Sequence, residues 1–361
     1  MKVVIAPDKF AGTLSADEAA RAIADGWRFR RPDDDLVLVP MADGGAGTLE
    51  VVAAVVDDAE RVQVEVADAR GRARLGSWLR LPDGRALVEA AEACGLAWLD
   101  SSERDPRRTT TYGVGQLLNA AFRARPREIV IGLGGSATND GGAGMALALG
   151  HRLLRPDGNG LKVGGEYLVD LARVEVADRD LVPTTIASDV TNPLLGPVGA
   201  VAVFGHQKGA QPDDMEVLEA ALAHFADIVE RDVPGGPWRD QPGAGAAGGL
   251  GFGLLAFCGA RMASGAEAVA TLVGFDEHVR DADVVITGEG KLDDQTASGK
   301  TPAFVAQRAR EAGARVLAVA GQIEGAGRAL FDDVAVLGPE GLERAAELTT
   351  QRASELAHRT H

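Results

Sequence analysis

Short runs of apolar, mostly β-branched residues recur along the chain, and glycine and polar residues follow each of them. Five such junctions begin at residues 3, 37, 128, 184 and 283: VVIAPDKF, VLVPMADGGAGT, EIVIGLGGSATNDGGAGM, TTIASDVTNP and DVVITGEGKLDDQTASGKT. The apolar runs predict buried strands, and the stretches between them predict helices. Ligands of open α/β sheets bind at the carboxyl ends of strands. Five junctions of similar chemistry therefore predict one ligand bound by several segments.

The first 56 residues predict a β-α-β unit and a second helix. Strands are expected at 3–6 and 36–39, with a helix at 15–30 between them. Ser15 and Glu18 have the spacing of a capping box, which marks a helix start. The GGAGT turn after Asp43 is expected to begin the next helix, which runs through residue 56.

From residue 61 the pattern changes to alternating strands, RVQVEV, LGSWLRL and ALVEA, with DARGR and PDGR turns between them. This predicts an antiparallel meander. Helices are then expected at 112–123 and 213–230, and a strand at 128–131. From 283 the β-α-β pattern returns, with a strand at 284–287, a helix from 301, a strand at 316–320 and a last helix near 341–358. We therefore predict two α/β domains. Residues 1–60 and 278–361 form a mostly parallel, Rossmann- or flavodoxin-like sheet, and 61–277 form an inserted domain with a mixed sheet.

Composition narrows the class of protein. The chain has 361 residues, 46% of them hydrophobic, which suffices for two cores. Its two cysteines form no C-x-x-C pair, so neither a disulfide framework nor a thiolate metal site is expected. The first apolar run is too short for a signal peptide, and no segment reaches the length of a membrane span. We expect a soluble, cytoplasmic protein.

The net charge of −16 disfavours polyanionic partners, so nucleic acid is not expected. The same field repels small anions. A site for an anion must therefore depend on backbone N–H groups, on a few lysines and on a metal ion.

The GLGGSA segment that starts at Gly132 permits three interpretations. It has the Rossmann G-x-G-x-x-A spacing, but the acidic residue that a dinucleotide site needs on the next strand is missing, because Asp157 falls in a RPDGNG turn. Alternatively the loop wraps phosphate oxygens and leads to a helix N-terminus near residue 142. The residues that would bind phosphate are Gly134, Gly135, Ser136 and Thr138. The third interpretation is a purely structural turn.

The GEGKLDDQTASGKT segment near the C-terminus lacks the first glycine of a Walker A loop, because Asp294 occupies that position. Lys291 is expected to meet phosphate as a point charge. Asp293 or Asp294 is expected to hold Mg²⁺, with helix capping as the alternative for Asp294.

Two aspartates, Asp43 and Asp189, follow apolar strands. Such carboxylates can hold Mg²⁺ or accept a proton from a substrate hydroxyl, or they can form Asx turns. Lys208, in VFGHQKGAQP, suits a substrate carboxylate or phosphate, and a solvated lysine is the alternative. No H-E-x-x-H or G-x-S-x-G motif is present, which sets aside zinc-hydrolase and serine-esterase functions.

These segments together resemble the bacterial glycerate kinases of the glycerate 2-kinase type. The resemblance runs through IAPDKFAGTLSA, MADGGAGT, RTTTYGVGQLL, GLGGSATNDGGAGM, SDVTNPLLGPVGA, VFGHQKGA, GAGAAGGLG and VITGEGKLDDQTASGKTP. It implies phosphorylation of D-glycerate to 2-phosphoglycerate by ATP and Mg²⁺, with the active site in a cleft between two domains. The sequence departs from the family pattern at Lys9, where serine is common, at Ala11, where lysine is common, and at Ala46, where glutamate is usual.

The resemblance and the residues together give a set of expected roles. Asp189 is the first choice for the base or a metal anchor, Asp43 and Asp293 share Mg²⁺, and Lys291 completes the catalytic set. ATP is expected to contact Gly134, Gly135, Ser136, Thr138, Gly288 and Gly290. Glycerate is expected to contact Asp8, Lys9, Lys208 and Asn192. An NAD-type dehydrogenase that uses GLGGSA, and a non-catalytic nucleotide- or metabolite-binding relative, are the alternatives.

Overall fold

The computed structural model describes residues 1–10, 12–293, 300–338 and 344–360. Its strands are β1 Lys2–Ile5, β2 Asp35–Leu38, β3 Glu60–Ala67, β4 Ala73–Arg80, β5 Arg85–Glu89, β6 Glu128–Gly132, β7 Arg152–Leu154, β8 Arg173–Glu175, β9 Thr184–Ala187, β10 Arg261–Ala263, β11 Val284–Leu292, β12 Arg315–Ile323 and β13 Asp333–Val336. Its α-helices are α1 Ala16–Arg30, α2 Thr48–Val55, α3 Ala91–Cys94, α4 Tyr112–Arg123, α5 Ala143–Ala148, α6 Ala200–Phe204, α7 Pro212–Asp232, α8 Ala246–Cys258, α9 Gly265–Val273, α10 Phe275–Val279, α11 Thr301–Glu311 and α12 Ala345–Arg359.

The chain divides into two compact units. Unit 1 consists of Met1–Asp43, Glu50–Asp57 and Gly265–His361, and unit 2 consists of Gly44–Leu49 and Asp58–Ser264. Each unit contains one main sheet, and the two sheets differ in strand direction.

Unit 1 contains a wholly parallel sheet in the order β13-β12-β11-β1-β2. From β1 the chain crosses through α1 to β2 at one edge, whereas from β11 it crosses through α11 to β12 and on to β13 at the other. The strand order therefore reverses between β1 and β11. In open α/β sheets this reversal opens a crevice outside the carboxyl ends of the strands.

Local sequence explains the first helix of unit 1. The Ser15 hydroxyl accepts a hydrogen bond from the Glu18 N–H at 3.2 Å, and the Glu18 carboxylate accepts one from the Ser15 N–H at 2.8 Å. This confirms the predicted capping box. Ile23 and Trp27 lie fully buried on the apolar face of α1, which packs against α12.

Unit 2 contains a mixed sheet in the order β10-β9-β6-β5-β4-β3. The strands from β10 to β5 pair in parallel, while β5, β4 and β3 pair antiparallel. The predicted meander is confirmed, and so is the predicted fold class of one parallel and one mixed sheet. Helix α7 buries Leu218, Leu222 and Phe225, because these residues recur on one helical face.

One strand differs from the sequence prediction. The strand expected to give way to a loop after residue 287 continues as β11 to Leu292, because it pairs with β12 as far as Leu292 and Ile323. Gly288, Gly290 and Lys291 therefore lie in a strand. The last helix, expected near residue 341, is described from Ala345, and 341–343 lie outside the described residues. Within the described part of the chain, no helix combines the length and apolar character needed to span a membrane.

Candidate active site

A pocket of about 460 Å³ in unit 1 lies at the carboxyl ends of the parallel strands. Residues that follow β1 and residues at the end of β11 line it, so it lies where the strand order reverses. The described residues that line this pocket are Asp8, Lys9, Phe10, Thr13, Asp43, Glu289, Gly290, Lys291, Asp293, Lys300, Gly321, Gln322, Leu337 and Gly338.

Asp8 is the most buried carboxylate of this pocket, with 7% of its surface exposed. Its side chain accepts a 2.7 Å hydrogen bond from the Lys9 N–H, and its own N–H donates to the Gly288 carbonyl at 2.8 Å. The pKa of Asp8 is raised to about 6, first by burial and then by the nearby Asp43 carboxylate, while Lys9 acts in the opposite direction. The Asp8 carboxyl is therefore mostly ionised at pH 7 and takes up a proton near pH 6.

Lys9 and Asp43 form an ion pair inside this pocket, with 3.5 Å between Nζ and Oδ1. The side chains are 37% and 43% exposed, so solvent screens the pair. Since such pairs are worth at most about 1 kcal/mol, a ligand can separate them cheaply. Both groups are thus accessible to a substrate or a metal ion.

Lys291 forms a 2.7 Å ion pair with Glu324. The hydrogen bond to Glu324 raises the pKa of Lys291, so the lysine is charged at neutral pH. Gly290 and Asp293 line the same pocket, whereas Gly288 is buried beneath it. Asp294, the alternative metal ligand, lies outside the described residues, as does Ala11.

The charges of the pocket are nearly balanced. Four carboxylates, those of Asp8, Asp43, Glu289 and Asp293, face three lysines. No group of three or more acidic, histidine or cysteine side chains within the described residues is arranged to hold a metal ion alone. Mg²⁺ needs only one or two protein carboxylates when phosphate oxygens complete its shell. The donor set therefore fits Mg²⁺ that arrives with a phosphate.

In unit 2, the loop of residues 133–140 follows β6, and three of its carbonyl groups accept hydrogen bonds from other segments. The Gly135 carbonyl accepts from the Leu96 N–H at 2.8 Å, and the Ala137 carbonyl accepts from the Thr109 hydroxyl at 2.9 Å. The Thr138 carbonyl accepts from Lys208 Nζ at 2.7 Å.

The backbone N–H groups of Gly134, Gly135 and Ser136 have no acceptor among the described residues. Gly134 is partly exposed and Gly135 is exposed, with φ of +75° at Gly135. Successive backbone N–H groups that donate to no protein carbonyl can bind an anion. The Ser136 and Thr138 side chains are buried, and the Thr138 hydroxyl lies 4.0 Å from the Cys94 sulfur.

Asp140 fixes the far end of the 133–140 loop. It is fully buried and accepts hydrogen bonds from Thr110, Thr111, Gly142 and Gly144. Burial raises the pKa of Asp140, although these hydrogen bonds act in the opposite direction. The RTTTYG segment thus supports this loop, a role that the sequence analysis missed. A run of three threonines before a helix was its only signal.

Lys208 is one of the most buried charged residues, with 2% of its surface exposed. It ends the short 3-10 helix His206–Lys208 and reaches the loop through its bond to Thr138. Burial lowers the pKa of Lys208 to about 8, against the influence of Cys94 and Asp140. The structure therefore places Lys208 under the predicted phosphate loop.

Asp189 and Asn192 follow β9 in unit 2. Asp189 Oδ1 accepts a 2.9 Å hydrogen bond from the hydroxyl of Ser264, which follows the neighbouring strand β10. The Asn192 side-chain amide donates to the Val198 carbonyl at 2.8 Å, and so closes its own loop. Ser264 was missed in the sequence, although a polar residue directly after a strand was the available signal.

The glycines of the GGAGT segment, residues 44–48, pack closely against the ends of strands in unit 2. A Cβ atom on Gly134 would lie 2.4 Å from Gly45 Cα, and one on Gly132 would lie 2.3 Å from the Gly44 carbonyl oxygen. The Glu89 carboxylate, which is buried, accepts from the N–H groups of Gly47 and Leu49. These glycines thus serve close packing, and Glu89 is a further supporting residue that the sequence analysis missed.

The geometry after β6 does not suit a dinucleotide. In the Rossmann fingerprint the helix begins within the glycine motif, so that its N-terminus meets the pyrophosphate. Here α5 begins at Ala143, after Ala137 and the buried TND segment, and has only six residues. The dehydrogenase alternative therefore lacks its structural basis.

Comparisons with known proteins agree on one family. A family model described as the glycerate kinase family matches residues 3–358. The chain is 44% identical to a glycerate kinase of Halalkalibacterium halodurans, covering 91% of this chain and 88% of that protein. It is 42% identical to glycerate 2-kinase of Escherichia coli, with 95% and 89% covered. A crystal structure from Salmonella typhimurium LT2 assigned as glycerate kinase 2 has a TM-score of 0.87 and 41% identity, with 99% and 98% covered.

Proposed function

The chain belongs to the glycerate kinase family, and from this premise we propose that it phosphorylates D-glycerate at the 2-hydroxyl with ATP and Mg²⁺. The observation that carries the proposal is the unit 1 pocket, in which lysines and carboxylates surround the crevice at the strand reversal. Phosphoryl transfer needs positioning, neutralisation of charge and one proton acceptor. Lysines and carboxylates of this kind can supply all three.

In unit 1, Asp43 and Asp293 are the proposed protein ligands of Mg²⁺. The metal would neutralise phosphate charge when bound. Lys291 is proposed to contact phosphate, because its exposed pair with Glu324 can exchange for a phosphate oxygen. Gly290 lines the pocket beside it, and Gly288 supports Asp8 from below.

Lys9 is the proposed partner of the glycerate carboxylate. Its ammonium is partly exposed in the pocket, whereas the ammonium of Lys208 is buried against Thr138. Asp8 is proposed to orient Lys9 through the hydrogen bond that the Lys9 N–H donates to its carboxylate. It is also proposed to accept a hydrogen bond from a substrate hydroxyl.

In unit 2, the N–H groups of Gly134, Gly135 and Ser136 are proposed to bind a phosphate group, and Thr138 to shape the loop that presents them. Asp189 is proposed to accept the proton of the glycerate hydroxyl. The Ser264 hydroxyl orients its carboxylate, and Asn192 closes the loop that follows.

The experiment that tests this function measures ADP release by the purified protein with MgATP and D-glycerate. L-glycerate and a reaction without acid serve as controls. Phosphorus NMR of the product separates 2-phosphoglycerate from 3-phosphoglycerate. Release of ADP that depends on D-glycerate, with 2-phosphoglycerate as the product, supports the proposal. ATP binding without turnover of any acid supports the non-catalytic alternative, and a change of absorbance near 340 nm with NAD would revive the dehydrogenase.

A further inference from the structure

Several contacts hold the loop of residues 133–140 in place. Besides the hydrogen bonds to its carbonyls, the loop packs closely against Gly248. A Cβ atom added to Gly248 would lie 2.0 Å from the Thr138 carbonyl oxygen. The Gly141 N–H donates to the Gly248 carbonyl at 3.1 Å. Gly248 has φ of +68°, where α8 is interrupted, so only a residue without a side chain suits this approach.

One of these contacts is made by the ammonium of Lys208, and burying a charged group costs free energy. A lysine buried to 98% loses most of its hydration, and a single carbonyl bond replaces little of it. A neutral residue of similar length would fill the same space without that cost. The charge itself therefore calls for an explanation other than packing.

We propose that Lys208 is a positioning residue for anion binding: its ammonium holds the Thr138 carbonyl and so adds a positive charge to the loop that carries the N–H groups of Gly134, Gly135 and Ser136. The ligand is the phosphate portion of a nucleotide or of a phosphorylated product. The inference rests on the proposed function for the identity of this ligand, but the anchoring of the loop does not depend on it.

The electrostatic surroundings support this role. Among the described titratable groups, Cys94 and Asp140 favour the charged form of Lys208, and the ammonium donates its hydrogen bond to the Thr138 carbonyl. Burial raises the pKa of the Cys94 thiol to about 12, so this group is neutral at physiological pH. Asp140, whose negative charge favours the Lys208 ammonium, takes its hydrogen bonds from N–H and hydroxyl groups of the described residues rather than from Lys208. The hydrogen bond from the ammonium to the Thr138 carbonyl therefore ties the lysine charge to the loop itself.

The test compares Lys208→Met, which removes the charge, with Lys208→Arg, which keeps it, and with Lys162→Met as the matched control at an exposed lysine. Calorimetric titration with inorganic tripolyphosphate measures anion binding without catalysis. We expect Lys208→Met to weaken binding about tenfold or more at pH 7, as for loss of about 1.4 kcal/mol. Lys208→Arg should restore much of it, and Lys162→Met should leave it unchanged.

The pH dependence of the same titration separates a charge effect from a packing effect. Since the pKa of Lys208 is lowered to about 8, tripolyphosphate affinity of the wild type should fall between pH 7 and 9.5. The affinity of Lys208→Arg should fall less than that of the wild type over this range, because arginine keeps its proton and the titration of tripolyphosphate is common to both proteins. Equal pH profiles in the wild type and Lys208→Met would overturn the proposal.

Hydrogen exchange shows whether a variant binds tripolyphosphate poorly because it is misfolded. The Ala137 and Gly141 amides, which bond to Cys94 and Gly248, report the position of the loop. In Lys208→Met their protection should fall while that of α7 is retained. Unchanged protection together with unchanged tripolyphosphate affinity would refute the inference. If the wild type binds tripolyphosphate as predicted but turns over no glycerate, the proposed function fails and the role of Lys208 stands.

Discussion

The Ser264 hydroxyl donates a 2.9 Å hydrogen bond to Asp189 Oδ1. The two residues follow β10 and β9, which are neighbouring parallel strands in register from Arg261 and Thr185 to Ala263 and Ala187. Sheet pairing therefore fixes the distance between them. A carboxylate held by a neighbouring strand end loses little conformational freedom when a substrate binds, which suits a group that must meet a hydroxyl proton.

Replacing Asp189 with Asn keeps the shape of the side chain and removes its charge. If Asp189 accepts the glycerate hydroxyl proton, kcat should fall by about 10²–10⁴-fold, the usual contribution of general-base catalysis. KM values should change much less. Steady-state ADP release measures both, and Asp178→Asn, at an exposed aspartate of the same unit, is the control. A kcat within about threefold of the wild type would exclude Asp189 as the base.

Replacing Ser264 with Ala removes the hydroxyl that orients Asp189 and leaves the charge in place. We expect kcat to fall by about 3- to 10-fold, because a hydrogen bond to a partly exposed carboxylate contributes on the order of 1 kcal/mol. The double variant with Asp189→Asn should lose no more activity than Asp189→Asn alone, since the hydroxyl acts through that carboxylate. Additive losses would indicate an independent role for Ser264.

Replacing Lys9 with Met removes the proposed partner of the glycerate carboxylate. The KM for D-glycerate should rise by about 10- to 100-fold, as expected for loss of a charge-assisted hydrogen bond. The KM for ATP should change little, and Lys162→Met should leave both constants unchanged. A rise in the KM for ATP alone would assign Lys9 to the nucleotide instead.

The α/β alternation, the capping box at Ser15 and Glu18 and the antiparallel meander were predictable, because each depends on the spacing of neighbouring residues. The supporting contacts were not. Thr111 and Asp140 are 29 positions apart, and Lys208 and Thr138 are 70 apart, yet each pair meets inside unit 2. The sequence placed Lys208 in a loop that suits a substrate carboxylate or phosphate, with a solvated lysine as the alternative. Its burial follows from tertiary packing, which no local pattern in this segment reveals.

The same distinction explains Gly288. Its place in GEGK predicted a loop that binds phosphate, but its neighbour in space is the Val319 carbonyl, 2.2 Å from where a Cβ would lie. Glycine there allows β11 and β12 to remain paired. A glycine motif therefore indicates close approach of two chain segments as readily as close approach of a ligand.

The burial of Lys208 also predicts how stability depends on pH. Its pKa is about 8 in the folded protein, below its ordinary value of 10.5. Below pH 8 both states carry the proton, and the folded state bears the full cost of the buried charge. Between pH 8 and 10.5 the unfolded chain binds more protons, so the contribution of Lys208 to the free energy of unfolding rises with pH.

Lys208→Met lacks this titration, whereas all other groups titrate in both proteins. The free energy of unfolding of the wild type, minus that of Lys208→Met, should therefore increase by about 1–2 kcal/mol between pH 7 and 9.5. Urea unfolding at several pH values measures this difference. Affinity for tripolyphosphate should fall over the same range in the wild type, so stability and anion binding should change in opposite directions. A difference in unfolding free energy that does not vary with pH would show that Lys208 is not buried as a charged group.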